Sequence, residues 1–244
     1  MFRPYASRIE PITFDPGSLS LTQWCLDYPG GSTWVSRSSA GTSGSGSNNY
    51  TSAGAGGAPV YTLAGGSSVT SFTSVANQFL NAAGTLATYA GAKAIRGWLL
   101  CNLDSTAASV AMSLWGDNVN GNAQVYTDGA GHVAFSVFDG LTTVTATKAI
   151  ITGSWCLITF RYDGTNVQIG INEAPGAAGG AATAACTLTI PLTSTIQFGG
   201  DTAGGTSALK GSIAEIGLSS ASLSDANFTS IRTGWINPRY GLSL

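Results

Sequence analysis

The chain has 244 residues, of which only 10 are Lys or Arg and 12 are Asp or Glu, so its net charge is −2. Charged residues make up 9% of the chain, whereas they make up about 25% of an ordinary soluble domain. Because no cluster of Lys and Arg could displace counterions, the sequence argues against nucleic-acid binding. No apolar stretch approaches the roughly 20 residues that cross a bilayer, which argues against a membrane partner.

Residues 1–22 are predicted to form an extended N-terminal arm, because Pro4, Pro11 and Pro16 interrupt any helix. A segment extended in this way loses less conformational entropy when it docks, so we expect it to contact another subunit. An added edge strand on its own sheet and disorder are the alternatives. The candidate partner-binding side chains are apolar or basic: Phe2, Arg3, Tyr5, Arg8, Ile9 and Ile12.

Residues 23–244 are predicted to form a single β-sandwich domain, with a polar loop at 36–58 that is almost entirely Ser, Gly, Ala, Asn and Thr. Alternating side chains in 122–150 and 154–172 indicate short antiparallel strands, and such strands with little helical periodicity between them predict a sandwich or barrel. Three Asp-Gly pairs are typical of the tight turns between these strands: Asp128-Gly129, Asp139-Gly140 and Asp163-Gly164.

One short helix is predicted near the C-terminal end of this domain. Ser224 can cap its first turn, and Leu223 and Phe228 are spaced to pack together as a hydrophobic staple. Gly234 is expected to end the helix. Residues 235–244 are then predicted to be a short tail.

The four cysteines lie far apart and include no CxxC pair, so we expect no zinc site. The first five residues contain no apolar h-region of a secretion signal, and we therefore expect reduced cysteines. Four residues in strongly apolar runs are predicted to lie in the core: Trp98, Cys101, Trp155 and Cys156.

Two segments carry a family resemblance. Residues 155–172 begin with a tryptophan-led strand, turn at Tyr-Asp-Gly and return to an Asn, and residues 209–216 read Leu-Lys-Gly-Ser-Ile-Ala-Glu-Ile ahead of Leu223-Ser224. Together they resemble the concanavalin A-like jelly-roll family, especially its laminin-G-like modules. The resemblance implies an all-β jelly-roll sandwich, here with an extended N-terminal arm and one short C-terminal helix. It implies little about function, because this fold hosts lectins, glycosidases and structural modules alike.

Catalysis is not expected from the sequence. A glycosidase needs two carboxylates across the scissile bond, and none of the three glutamates, Glu10, Glu173 and Glu215, has the Glu-x-Asp-x-Glu pattern of the glucanase branch. In the family that the chain resembles, the position of Glu215 is more often structural. The single histidine, His132, follows a turn and has no Gly-x-Ser-x-Gly elbow to act with, so we expect it to be solvated or hydrogen-bonded.

Two kinds of binding site are considered. Trp115 is the candidate for an exposed platform on which a sugar ring stacks, with Asp117 and Asn118 beside it; packing of Trp115 at the sandwich edge is the alternative. Calcium is possible through loop oxygens of Asp117, Asn118, Asp163 and Asp201. No run such as D-x-D-x-D-G supports it, and turn chemistry explains Asp163 without a metal. We therefore assign no cofactor.

These features favour a non-enzymatic virion structural protein, specifically a phage capsid decoration (cement) protein that binds the outer shell. Trp24, Asp27 and Trp34, followed by the polar loop, also resemble the opening of phage virion proteins that carry this jelly roll. The expected partners are the major capsid protein and other virion proteins, and a homo-oligomer is expected. The protein would be made in the host cytoplasm and located in the virion. The alternative is a glycan-binding adhesion module of a phage tail fibre or receptor-binding protein, and the third interpretation is a degenerate glycoside hydrolase.

Overall fold

The structure is a computed structural model, and its description covers most of the strands and the whole C-terminal segment. The described residues are 11–21, 23–26, 33–34, 50–52, 60–64, 67–73, 80–85, 95–104, 113–116, 123–138, 141–177, 182–187, 195–199, 209–219 and 223–244. Within these residues, no helix combines the length and the apolar character that a membrane crossing requires.

The described strands form two antiparallel sheets of eight strands each. Sheet A contains β1 (Gln23–Leu26), β4 (Val60–Ala64), β5 (Ser67–Thr73), β7 (Ile95–Leu103), β12 (Trp155–Tyr162), β13 (Asn166–Ile171), β14 (Ala182–Ala185) and β16 (Lys210–Ser219). Sheet B contains β2 (Thr33–Trp34), β3 (Tyr50–Ser52), β6 (Leu80–Thr85), β8 (Ser113–Gly116), β9 (Ala123–Thr127), β10 (His132–Phe138), β11 (Thr143–Ala149) and β15 (Thr195–Phe198).

The strand order differs from the chain order in both sheets. Sheet A runs β14-β13-β12-β7-β16-β5-β4, and β1 also pairs with β16. Sheet B runs β11-β10-β9-β8-β15-β6-β3-β2. Neighbours along the chain pair in the β9-β10-β11 meander and the β12-β13 hairpin, as the alternation in 122–150 and 154–172 predicts, whereas β16 reaches β7 and β5 only through long connections.

Two of the three predicted Asp-Gly turns lie in the described part of the chain. The Asp128 carboxylate accepts hydrogen bonds from the backbone N–H groups of Ala130 and His132, and the turn joins β9 to β10. The Asp163 carboxylate accepts from the backbone N–H of Thr165 and joins β12 to β13. Asp139-Gly140 lies outside the described residues. These aspartates stabilise turns, as their side-chain chemistry predicts.

The first core lies between the two sheets. Side chains alternate along each strand, so that Phe135 and Val137 of sheet B face Ile158 and Phe160 of sheet A, and all four are fully buried. The rings of Phe135 and Phe160 lie 5.1 Å apart between centroids, a separation at which aromatic pairs attract each other. The all-β jelly-roll sandwich predicted from the sequence is therefore confirmed.

A second core covers the opposite face of sheet A, where the C-terminal helical segment packs. This segment consists of α1 (Asp225–Ser230), one π-helical stretch (Ile231–Ile236) and α2 (Asn237–Tyr240). The predicted cap is present, because the Ser224 side chain accepts from the Asn227 N–H, and Leu223 and Phe228 are both buried. The short C-terminal helix is confirmed.

The end of the helical segment differs from the sequence prediction. It continues past Gly234 and closes at Gly241, which adopts the left-handed conformation with φ 64°. Gly234 serves another purpose, because its carbonyl accepts hydrogen bonds from the N–H groups of Thr13 and Phe14. A Cβ at Gly234 would lie 2.7 Å from the Cβ of Phe14, so glycine is required here for close approach of residues 11–21.

Candidate functional site

A pocket of about 270 Å³ opens at one end of the sandwich. It lies where β11 ends, β12 begins and β13 ends. The residues that line it combine apolar and polar side chains: Lys148, Ala149, Ile151, Ser154, Trp155, Cys156, Ile171 and Asn172. A concave site that is mostly apolar and carries a few polar groups is the usual form of a small-molecule site.

A lysine enters the space between the sheets at this pocket. Lys148 stands opposite Val133 in the β10-β11 ladder, and Val133 belongs to the core between the sheets, so Lys148 occupies an inward position. Its ammonium forms an ion pair with the carboxylate of Glu173. Burial lowers the pKa of Lys148, because desolvation disfavours the charged form.

Asn172 forms a rigid corner of the pocket at the end of β13. Its Oδ1 accepts a hydrogen bond of 2.8 Å from the N–H of Leu157, and its own N–H donates 2.8 Å to the carbonyl of Leu157. The carbonyl of Asn172 accepts from Arg232 of the helical segment. Its φ of 58° is left-handed, a conformation that asparagine tolerates better than most residues.

Apolar surface is exposed at the rim of the pocket. Ile151, in the turn between β11 and β12, is 79% exposed. Trp155 is half-buried and packs against the cluster beneath the helical segment, and Trp98 is fully buried. Both tryptophans therefore lie in or against the core, as the sequence predicts, and the side chain most available to a ligand at this end is Ile151.

The histidine of the chain lies near the same end. His132 pairs with Ala149 across the β10-β11 ladder, and its Nδ1 lies 2.7 Å from Oδ2 of Asp128. Burial acts to raise the pKa of Asp128, but hydrogen bonds from Ala130 and His132 outweigh it and leave that pKa lowered. His132 is hydrogen-bonded, as expected, and its contact with Asp128 ties the turn to β10.

Glu215 does not line the pocket; it lies in the core beneath the helical segment, with no exposed surface. Its carboxyl accepts hydrogen bonds from the indole N–H groups of Trp24, Trp98 and Trp235 at 2.9, 3.3 and 3.0 Å. The Tyr240 hydroxyl donates to Oε2 at 2.9 Å. Burial raises the pKa of Glu215 although these four donors act in the opposite direction. Its role is to hold the helical segment on sheet A.

A β-bulge in β16 explains how Glu215 reaches this position. The register with β7 shifts between Ile213 and Glu215, so Ala214 and Glu215 both face the helical segment, whereas Ile213 faces the other sheet. Gly217 makes room for the indole of Trp98, which donates to Glu215, since a Cβ at this position would lie 2.1 Å from that ring.

Several other carboxylates of the described residues form ion pairs or cap turns. Glu173 pairs with Lys148, Asp225 pairs with Arg161 at 2.8 Å, and Asp15 caps the 3-10 turn Pro16–Ser18. Asp163, considered for calcium, accepts three hydrogen bonds from its own turn. Within the described residues, no group of three His, Cys, Asp or Glu side chains is arranged to hold a metal ion.

Most of the site residues predicted from the sequence lie outside the described residues: Phe2, Arg3, Tyr5, Arg8, Ile9, Asp117, Asn118 and Asp201. Trp115 lies in β8, but its side chain is not among those described. Ile12 is described and is 51% exposed. The pocket was missed, yet its signal is present in the sequence: Lys148 follows Val144 and Ala146 at two-residue spacing, which places a charged side chain at an inward position of β11.

Comparisons with known proteins support the fold. No protein-family model and no curated protein matches the sequence. The receptor binding domain of botulinum neurotoxin mosaic serotype C/D is similar with a TM-score of 0.62 and 12% identity, over 88% of this chain and 51% of that chain. Trypanosoma rangeli sialidase in complex with sialic acid is similar with a TM-score of 0.60 and 11% identity, over 87% of this chain and 32% of that chain.

A weaker similarity joins the chain to mouse laminin α1 domains LG4-5, with a TM-score of 0.46 and 17% identity over 65% of this chain and 42% of that chain. The chain therefore spans about half the length of the toxin chain and about a third of the sialidase chain. At these identities only the fold is shared, which is that of an all-β jelly-roll sandwich.

Proposed function

We propose that the chain is a non-catalytic binding module that recognises carbohydrate, with the pocket beside Ile151 as its sugar site. The observation that carries this proposal is the pocket itself, in which apolar side chains lie beside Lys148, Ser154 and Asn172. A sugar ring has matching chemistry, because its C–H faces are apolar and its edge carries hydroxyl groups. The corner at Asn172 is held by three hydrogen bonds, which favours a preformed site.

The two glutamates within the described residues favour binding over hydrolysis. Glu173 is paired with Lys148, and Glu215 is enclosed by indole and phenol groups beneath the helical segment. A glycosidase needs one carboxyl group as acid and a second as nucleophile or base. Of these two, Glu173 is ion-paired with a residue that lines the pocket, and Glu215 is buried in the core with no exposed surface. The similarity to a sialidase and to a toxin receptor binding domain concerns the fold, and it guides only the choice of glycans to test.

The test is binding of the labelled full chain to an array of sialylated and neutral oligosaccharides. We expect the unmodified chain to bind a defined subset of these glycans. Ile151→Ser should weaken that binding by about tenfold or more, because covering one large aliphatic side chain contributes about 1.5–3 kcal/mol. Ile151 is 79% exposed, so this substitution leaves the core intact.

The chain offers a matched control in Leu141→Ser. Leu141 is 93% exposed and precedes β11, whereas Ile151 follows it, so the two apolar side chains lie at opposite ends of the same strand. Glycan binding should survive Leu141→Ser. Failure of the unmodified chain to bind any oligosaccharide on the array, or equal losses in the two variants, would contradict a sugar site at this pocket.

Capsid decoration is the second candidate, and Ile12 is the observation that favours it. Its side chain is 51% exposed although the neighbouring backbone is fixed by hydrogen bonds from Thr13 and Phe14 to Gly234, so about half of a large apolar side chain on a fixed segment is open to a partner. The measurement is the copy number per particle after gradient sedimentation. Hundreds of copies on virion-sized particles are expected for decoration, and a few to a dozen copies are expected for a tail adhesion module. If the protein were found only free of particles, both virion roles would be excluded.

A further inference from the structure

Two cysteines face each other across adjacent strands of sheet A. Cys101 in β7 and Cys156 in β12 occupy opposite positions of the antiparallel ladder, and their Sγ atoms lie 3.7 Å apart. Opposite residues in such a ladder have Cα atoms about 4.5–5.5 Å apart, which falls within the range of about 4.4–6.8 Å found in disulfides. Side-chain rotation alone can therefore bring the sulfurs to the bonding distance of about 2.05 Å.

The pocket gives access to one of these two thiols. Cys156 lines the pocket and is 5% exposed, whereas Cys101 has no exposed surface. A small reagent that enters the pocket therefore meets Cys156 first. Cys101, directly behind it, is in position to attack any sulfur attached to Cys156. This is the arrangement of an attacking and a resolving thiol.

We propose that Cys101 and Cys156 form a reversible cross-strand disulfide when the folded protein meets a small disulfide oxidant such as oxidised glutathione. The Cys156 thiolate attacks one glutathione sulfur, which forms a mixed disulfide and releases one glutathione thiolate. The Cys101 thiolate then attacks the Cys156 sulfur, which forms the Cys101–Cys156 bond and releases the second glutathione. The protein loses two electrons and two protons, and the oxidant is reduced to two glutathione thiols.

The surroundings of the pair affect the rate of the second attack. The hydrogen bond with Cys156 and burial raise the pKa of the Cys101 thiol, so little of it is thiolate and its attack on the mixed disulfide is the slow step. The two remaining cysteines lie elsewhere: Cys25 stands opposite Ile216 in the β1-β16 ladder, and Cys186 contacts Tyr162. Because neither faces another thiol in this way, they serve as internal controls.

The test is peptide mapping of the full folded chain after incubation with oxidised glutathione, alkylation of the remaining thiols and digestion without reduction. We expect a loss of two hydrogens from the intact mass and one linked pair of peptides, which carry Cys101 and Cys156. The same product should form in the double variant Cys25→Ala, Cys186→Ala, and dithiothreitol should reverse it. An unchanged mass, a stable mixed disulfide on Cys156, or a link through Cys25 or Cys186 would overturn the inference.

A second measurement does not depend on variants in the core. The bond would close a loop between positions 55 residues apart, which stabilises a protein mainly by restricting its unfolded state. The midpoint of urea unfolding should therefore rise on oxidation of the unmodified chain and return after reduction. A midpoint that falls would show that the bond strains the two strands, against the geometry. Neither measurement uses a glycan, so failure of the sugar site and failure of the disulfide are distinguishable.

Discussion

Glu215 is enclosed by three tryptophans and one tyrosine, all of which donate hydrogen bonds to its carboxyl. Taking a carboxylate out of water costs several kcal/mol unless hydrogen bonds offset the loss. Two of the donors, Trp235 and Tyr240, belong to the helical segment, and the other two belong to strands of sheet A. The carboxyl therefore joins the helical segment to the sheet through directional contacts, in addition to the apolar packing around it.

Replacing this carboxyl by an amide tests that role. In Glu215→Gln, the amide NH2 group cannot accept, so the hydrogen bonds to one of the two carboxyl oxygens are lost. At the Oε1 position these come from three indole N–H groups, and at the Oε2 position they come from Tyr240 and from one of the two contacts of Trp235. We expect the free energy of unfolding to fall by about 1–3 kcal/mol near pH 4.5. The matched control is Glu173→Gln, which removes a partly exposed ion pair with Lys148 and should cost no more than about 1 kcal/mol.

The pH dependence of this difference follows from the raised pKa of Glu215. A carboxyl whose pKa is higher in the folded state keeps its proton there at pH values where the unfolded chain has lost it. The stability that it contributes is therefore present below the ordinary glutamate pKa and falls as pH rises toward the folded-state pKa. Denaturant titrations of the unmodified chain and of Glu215→Gln between about pH 4 and 8 should show that the difference between their free energies of unfolding becomes smaller as pH rises. A difference that becomes larger would mean that the fold favours the carboxylate.

At the level of elements, the sequence predicts those hairpins, turns and caps that are determined by contacts between residues close together in the chain. The β9-β10-β11 meander and the β12-β13 hairpin follow from two-residue alternation and from Asp-Gly turns whose carboxylates cap their own backbone. The Ser224 cap follows in the same way. In each case the deciding contacts join residues within four positions of one another, so the sequence alone contains the information.

Elements that depend on distant contacts escaped the sequence analysis. The bulge at Ala214 turns Glu215 toward the helical segment, and the alternation of β16 does not reveal it. Gly234 has the position expected of a helix end, but it is buried against Phe14, which lies 220 positions earlier in the sequence numbering. The pocket likewise depends on three strand ends that meet only in the folded sheets, although Lys148 at an inward position indicated it.

At the scale of the whole molecule, the described residues form three layers, with sheet B on one side, sheet A in the centre and the helical segment on the other side. Residues 11–21 attach to the outer layer through Gly234 and through buried Leu21. Segments near both ends of the sequence therefore complete one core. The cysteine pair lies in the core between the sheets, whereas the pocket also contacts the outer layer, through Trp155 and through the hydrogen bond from Arg232 to the Asn172 carbonyl.

Gly234→Ala tests whether the outer layer depends on this attachment. Helix propensity alone predicts that alanine stabilises the segment by about 1 kcal/mol. Packing predicts the opposite sign, because the new Cβ would lie 2.7 Å from the Cβ of Phe14 and 2.9 Å from Oγ1 of Thr13. We expect the free energy of unfolding measured with denaturant to fall by about 1–3 kcal/mol in total, together with faster proteolysis within residues 11–21.

The control is Ala226→Gly, at an exposed position of α1. Its free energy of unfolding should fall by about 1 kcal/mol from helix propensity alone, and proteolysis within residues 11–21 should be unchanged. A gain in stability for Gly234→Ala would show that residues 11–21 do not hold the helical segment in place.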